Sequence, residues 1–532
     1  MVKRVAVIGA GCSGLTAIKC CLEEGLEPTC FEKSGDIGGL WRFKEFPEDD
    51  RASIYNSVII NTSKEMMCYS DYPIPEDYPN YMHNSKVLQY FRQYGEHFQL
   101  LKYIQFKTAV CSIRKHPDFL TTGQWDVVTE SEGKQEKHVF DAILVCIGHH
   151  THPKLPLHSF PGIENFKGQY FHSRDYKTAE SFKNKRVIVI GIGNTAVDLA
   201  VELSAVAKQV FLSTRRGAWL LNRVCDNGFP VDIVLFSRFF AILQNAFPNL
   251  INKYLENKVN SRVDHDNFGL KPKHRIFGQH PTISDDLPNR IISGKVLMKT
   301  NVTRFTETDA FFEDGTIEKD IDVVIFATGY NFSFPFIDES VIKVEHNEVP
   351  LYKMIFPAHL EKPTMAFIGY IQPIGAIMPI SEIQARWATR VFQGLAKLPP
   401  MGEMKEEINK RKQDMQNRYV KSERHTIQVD YVPYMDEVAV EVGCKPDVKH
   451  LFLSDPKLAW DIFFGPCTPY QYRLYGPGQW NGARKAILTQ KDRIIKPTKT
   501  RITHTEKAHG SFNMLVKLLG ILVIFAAGYV LL

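Results

Sequence analysis

Two glycine-rich turns carry the clearest chemical signal in the chain. Gly9, Ala10, Gly11, Cys12, Ser13 and Gly14 follow an apolar run over 5–8 and have G-x-G-x-x-G spacing. Gly191, Gly193, Asn194, Thr195 and Ala196, continued by Val197 and Asp198, have G-x-G-x-x-A spacing after the apolar run 187–190. In such a turn the first glycine permits the tight bend and the second lets a pyrophosphate approach the backbone. The third small residue lets helix and strand pack closely. The unpaired N–H groups at the start of the following helix then face the phosphates.

The strand after each turn separates the two sites. The first turn is succeeded by a strand over 28–31 that ends at Glu32, an acid placed to accept hydrogen bonds from ribose hydroxyls. The second is succeeded by a strand over 209–213 that ends in Ser213, Thr214, Arg215 and Arg216. A carboxylate there would repel a 2′-phosphate, whereas hydroxyls and guanidinium groups bind one; a solvated turn is the bland alternative for the arginines. One site therefore suits a cofactor with a free ribose and the other suits NADPH. Together they point to FAD with NADPH, hydride passing from nicotinamide to flavin. Two further segments, 141–148 and 322–329, read as buried strands ending in small turns, the second at Thr328 and Gly329.

The elements that must hold these turns give an α/β fold class. The expectation is two Rossmann-like dinucleotide-binding domains, for FAD and NADPH, with a helical insertion and a C-terminal apolar membrane-anchor helix. The FAD-binding domain is expected over 1–154 and again over 331–442, and the NADPH-binding domain over 155–216 and 296–330. A mainly helical insertion takes 217–295, a C-terminal region 443–512 and the anchor 513–532. As a helix the nearly unbroken apolar run 514–532 would rise roughly 28 Å, close to the ~30 Å hydrocarbon core of a bilayer. A buried terminal helix is the alternative. The charged run 403–425 reads as a solvated helix.

Composition excludes several classes. Apolar residues make up 44% and charged residues 23% of the 532, ordinary globular usage, and the net charge is only +6. No long basic stripe with interleaved aromatics suggests nucleic acid. The ten cysteines include no C-x-x-C pair, so they read as reduced thiols of a cytosol-facing protein, against a dithiol reductase or a zinc site. The chain enters a strand almost at once, so no signal peptide is expected. His149, His150 and His152 read as loop histidines and no metal is expected; His172 reads as a packed residue and His280 as a surface-loop residue that could touch a ketone.

The sequence resembles the flavin-containing monooxygenases essentially end to end. Phe166, Gly168, His172 and Tyr176 match their F-x-G-x-x-x-H-x-x-x-[YF] fingerprint; Ile37, Gly38, Gly39, Leu40 and Trp41, the FATGY at 326–330, and 463–484 look the same. The last stretch looks most like the mammalian isoform-five branch. The resemblance implies that NADPH reduces FAD, that O2 adds at the flavin C4a, and that the C4a-peroxyflavin waits for substrate in a dry site, NADP+ being retained as part of its wall. It assigns Asn61, in INTSKEM, and Asn194 to the catalytic centre, with Gly39, Leu40, Trp41, Ile60, Asn61, Thr62, Thr328 and Gly329 joining the two turns in cofactor binding. Thr195, Ala196 and Val197 are bulkier than is usual in the family and could shift NADPH affinity.

The expected activity is NADPH- and O2-dependent oxygenation of small lipophilic substrates. Baeyer–Villiger oxidation of ketones to esters is favoured, because the isoform-five branch is associated with it. N- or S-oxygenation of amines and sulfides is the alternative, which Tyr176 by itself favours over the tryptophan of bacterial Baeyer–Villiger enzymes. An uncoupled NADPH oxidase and a catalytically silent binding protein are further rivals. The resemblance also implies residence at the endoplasmic reticulum membrane, held by the C-terminal segment, with the catalytic domains in the cytosol; a homo-oligomer is possible.

Overall fold

A computed structural model describes residues 2–422 and 425–501. Two five-stranded parallel sheets dominate it. The first has the order Met365–Phe367, Ala142–Val145, Arg4–Ile8, Glu27–Glu32, Ile104–Phe106. The second has the order Val296–Lys299, Gln209–Ser213, Arg186–Ile190, Val323–Phe326, Gln169–His172. Their central strands are apolar because both faces are covered: Val5, Ala6, Val7, Val187, Ile188 and Val189 have no exposed surface. In each sheet the chain leaves the central strand to one side and later returns on the other. That reversal opens a crevice at the strand's carboxyl end, where α/β sheets bind ligands. Both glycine turns stand at this point.

The helix Cys12–Glu23 comes after the first turn and packs under the long helix Ile377–Phe392. The helix Asn194–Leu203 comes after the second. Between Gln209–Ser213 and Val296–Lys299 lie the helices Val231–Leu235, Arg238–Ala246, Pro248–Asn260 and Leu287–Ile292. The two-residue pairing of Leu220–Leu221 with Thr282–Ile283 brings the two ends of this insertion together, and Thr282 and Ile283 hydrogen-bond to Ile192 and Asn194 of the second domain. All ten cysteines are free.

The expected closing element, a C-terminal membrane-anchor helix, is a point of correction. Among the described residues no helix is long and apolar enough to cross a membrane. Val448–Ser454, Pro456–Phe463 and Ala483–Ile495 hold 7, 8 and 13 residues, against about 20 for a span, and the 18-residue helix Met401–Arg418 is polar. The stretch 513–532 lies outside the described residues. The charged run 403–425 is also helical only to Arg418, where Tyr419 turns extended and becomes buried; Arg424 lies outside the described residues.

A buried ionic cluster ties the C-terminal region to the first domain. Arg473 is 1% exposed and bridges Glu382, at 2.8 Å, and Asp71, at 3.2 Å. Lys19, on the helix after the first glycine turn, reaches the same Asp71 at 2.5 Å, and Ser70 donates its N–H to Glu382. Removing one partner of such a cluster strands the others without water. Arg473→Met is expected to lower stability by about 3–5 kcal/mol, read as a fall in the denaturation midpoint. A change within experimental error would show that the cluster holds nothing together.

Candidate active site

The first turn is a bare-backbone cradle by steric necessity. A Cβ on Gly14 would lie 1.8 Å from the Gly9 carbonyl oxygen, so the helix can sit this close to the strand only without a side chain. Gly9 itself has φ +97°, a region open to glycine. Facing it, the turn at 38–41 donates Gly38 N–H to the Ala10 carbonyl. A Cβ on Gly39 would stand a tight 3.2 Å from the Gly11 Cα, and its φ of +53° is one that other residues rarely adopt. Glu32, at the end of Glu27–Glu32, is 6% exposed. Its two oxygens accept from Ala10 N–H and Ser34 N–H, each at 2.8 Å. These bonds fix the carboxylate and leave acceptor capacity for ribose hydroxyls.

The second turn repeats the plan. Gly191 has φ +135°, and a Cβ there would meet the Ala327 carbonyl oxygen at 2.6 Å. Gly193 has nothing within 4 Å of its Cβ position, leaving the backbone open to a ligand. Ala196 is fully buried, so its methyl fits where a third glycine could stand. Ser213 spends its hydroxyl on the Thr300 carbonyl, and Thr214 accepts from Gly217 N–H. Both hydroxyls are thus engaged with backbone, and Arg215 and Arg216 beside them are exposed.

One cavity of about 930 Å³ runs between the two turns. Of the expected site residues, Gly9, Gly11, Cys12, Ser13, Glu32, Gly39, Leu40, Trp41, Ile60, Asn61, Thr62, Gly193, Asn194, Thr195, Ala196, Asp198 and Gly329 line it. Ala10, Gly14, Gly191, Val197 and Thr328 are not among the lining residues, nor are Ser213, Thr214 and Arg215. Thr328 donates its hydroxyl to the Lys154 carbonyl. The glycine contacts, the fixed Glu32 carboxylate and a cavity joining both turns suit two dinucleotides lying toward each other.

The two amides are held in one orientation each. Asn61 Oδ1 accepts from Arg223 Nη2 at 2.7 Å, and a guanidinium can only donate. Asn194 Oδ1 accepts from Ile283 N–H at 2.7 Å. In both, the oxygen is engaged and the NH2 end has no partner among the described residues. Arg223, Asp285 at 3.8 Å from it, and Ile283 all belong to the insertion and were not legible as site residues, because nothing local marks them. Tyr55, whose hydroxyl donates to Asp198 at 2.6 Å, was missed for the same reason.

The histidines need correction. His280 lines the cavity together with His149 and His150, rather than sitting in a surface loop. Thr282 Oγ1 donates to the Ile192 carbonyl at 2.8 Å, which pulls the segment 280–283 against the second turn. Burial, then the neighbouring imidazoles, pushes His150 and His280 down to about 4 and His149 well below its ordinary value. All three are only partly covered at the surface, but both ring nitrogens of His149 are shielded and unpartnered. His172 is hydrogen-bonded to the Gly329 carbonyl.

Residues 2–532 match the flavin-binding monooxygenase-like family. The chain is 64% identical to flavin-containing monooxygenase 5 of Mus musculus over 99% of its own length and 98% of the relative's. Among solved structures it is similar to the S-allyl-L-cysteine S-oxygenase of Allium sativum, with TM-score 0.65, 23% identity, and 93% and 99% of the two chains covered. It is also similar to cyclohexanone monooxygenase of Rhodococcus sp. Phi1 bound to NADP+, with TM-score 0.59, 17% identity, and 83% and 98% covered.

This geometry leads to two expected outcomes. Gly14→Ala forces the helix off the strand, and overpacking of this kind costs about 1–3 kcal/mol or more. The purified variant should be colourless or lose most of its flavin absorbance. Full wild-type absorbance would contradict the cradle. Second, a histidine whose pKa is depressed on folding supports the fold above its unfolded value near 6.5 and withdraws that support as pH falls toward the folded value. His280→Gln should therefore show a smaller drop in Tm between pH 7 and pH 5 than the parent, measured side by side; an equal drop would refute the depressed value.

Proposed function

Because the chain belongs to the flavin-binding monooxygenase-like family, we propose that this FAD- and NADPH-dependent monooxygenase oxidises small lipophilic ketones to esters in preference to oxygenating amines and sulfides. Bound in this cavity, FAD and NADPH would supply the hydride chemistry and the activation of O2 that the oxygenation requires. The chain's residues supply the rest. The two glycine turns seat the pyrophosphates, Glu32 holds a ribose, and Arg215 with Arg216 meets the 2′-phosphate. Ile60, Trp41 and Ile371 help keep the wall of the cavity apolar, which limits the water that would divert the oxygen to H2O2.

The ketone preference turns on protonation. A ketone carbonyl is attacked by an unprotonated, nucleophilic oxygen, whereas an amine or sulfide attacks a protonated, electrophilic one. The observation that carries the reading is the character of the donors around the cavity. Asn61 and Asn194 offer N–H groups that hydrogen-bond without titrating. Burial pushes His149, His150 and His280 in the wall well below the ordinary imidazole value, so these three hold no proton to give near pH 7. Neither set delivers a proton readily at neutral pH. The resemblance of 463–484 to the isoform-five branch supports the same reading. The fold is neutral on this point, since it is shared with an S-oxygenase and with a cyclohexanone monooxygenase.

The holoenzyme incubated with NADPH and air and given 2-heptanone or thioanisole separates the two chemistries. Ester formation is expected to exceed sulfoxide formation by about tenfold in kcat/KM, roughly 1.4 kcal/mol of differential transition-state binding. Sulfoxide as the main product, with ester absent, would overturn the ketone reading and leave the monooxygenase intact.

A further inference from the structure

The segment carrying Asn61 is gripped from two sides, and one grip is a buried carboxylate to which the reaction above gives no part. Asp232, on the short helix Val231–Leu235 of the insertion, is 2% exposed. Its Oδ2 accepts from Ser63 N–H at 2.6 Å, and its Oδ1 from Ile233 N–H at 2.9 Å. No cation pairs with it among the described residues. Around it the insertion touches the same region again. Arg223 donates to Asn61, Tyr81 Oη donates to the Arg223 carbonyl at 2.7 Å, and Val231 N–H donates to Tyr81 Oη at 3.3 Å. From the other side the C-terminal helix holds the segment through Arg493 and Glu65, 2.7 Å apart.

We propose that Asp232 is a positioning residue for the oxygenation site: by holding Ser63 N–H it fixes the turn 61–63, and with it the height and angle at which Asn61 presents its NH2 to the cavity. Ser63 is two residues from Asn61, and a charge-assisted acceptor bond is short and about twice as strong as a neutral one. A buried carboxylate without a cation is a costly way to hold a loop. Both of its oxygens accept from backbone N–H groups, so an asparagine can keep only one of the two bonds and the grip on the turn loosens without leaving a charge behind.

The surroundings fix the pH behaviour. Burial pushes the Asp232 carboxyl up to about 6. Tyr81, Cys225 and Tyr431 face it, and burial pushes each of them upward as well. The Arg223 guanidinium lies beyond Tyr81, turned to Asn61. On the gripped segment, Lys64 is spent on the Glu76 and Tyr78 carbonyls, and Glu65 on Arg493. An acid whose pKa is raised on folding has its ionised form disfavoured. The fold therefore loses stability as pH rises from the unfolded value toward about 6, while the grip on Ser63 strengthens over the same interval.

The test uses purified holoenzyme with NADPH under air and no organic substrate, reading NADPH oxidation and H2O2 release. It contains no ketone, so it stands or falls separately from the ketone preference. The parent should release H2O2 faster as pH falls from 7 through 6. Asp232→Asn, which keeps one acceptor oxygen, should fold and stay yellow at pH 7. It should release H2O2 about fivefold faster, well inside the hundredfold that a misplacement of about 1 Å can cost, with no inflection near pH 6. Asp232→Ala should be faster still. Parent-like rates with the inflection retained in Asp232→Asn would overturn the proposal, and so would loss of its FAD, which would assign the residue to cofactor retention. If Asp232→Ala does not fold, Asp232→Asn decides alone.

Discussion

A strand, a turn and a helix must come so close that backbone meets backbone, and both halves of the molecule are organised around that constraint. At Gly14 a Cβ would lie 1.8 Å from a carbonyl oxygen, and at Gly191 one would lie 2.6 Å from another. The resulting turns present N–H groups without side chains in front of them, the chemistry a pyrophosphate requires. Because each turn stands where its sheet reverses direction, each opens into a crevice, and the cavity of about 930 Å³ is the joining of the two. Fixing Glu32 through Ala10 N–H and Ser34 N–H extends the same economy, since the turn's own backbone orients the acid beside it.

The two amides proposed for the reactive centre depend on contacts from outside both sheets. The insertion supplies the Arg223 bond to Asn61, the Ile283 bond to Asn194 and the Asp232 bond to Ser63. Segment 53–57 crosses to the second domain, where Tyr55 meets Asp198 and Ser57 meets Glu202. The two dinucleotide domains thus provide seats, and the insertion sets the direction in which the amides point. A flavin enzyme that must keep water from a reactive oxygen gains from placing these donors on packed, buried elements, where their orientation does not drift.

Much of this plan was legible from local pattern. The turns at 9–14 and 191–196, Glu32 and the Ser213–Arg216 stretch each announce themselves within about a dozen residues, because strand, bend and helix impose their own spacing. Other features have no local trace. His280 reads as a loop residue until Thr282 is seen pinned to Ile192, and Arg223 reads as one more polar residue of a helical stretch. The helical run expected over 403–425 ends at Arg418 because Tyr419 finds a buried site, which is a tertiary event.

By itself the sequence determined that two nucleotide cradles exist, that one tolerates a carboxylate at the ribose while the other carries arginines, and that the cysteines form no dithiol pair. Those properties rest on neighbours along the chain. Tertiary structure alone decided that the cradles open into one cavity, that burial depresses His149, His150 and His280, and that each asparagine shows its NH2 end. Those properties rest on residues far apart in sequence, such as Asn61 and Arg223, brought into hydrogen-bonding distance by packing that no short window encodes.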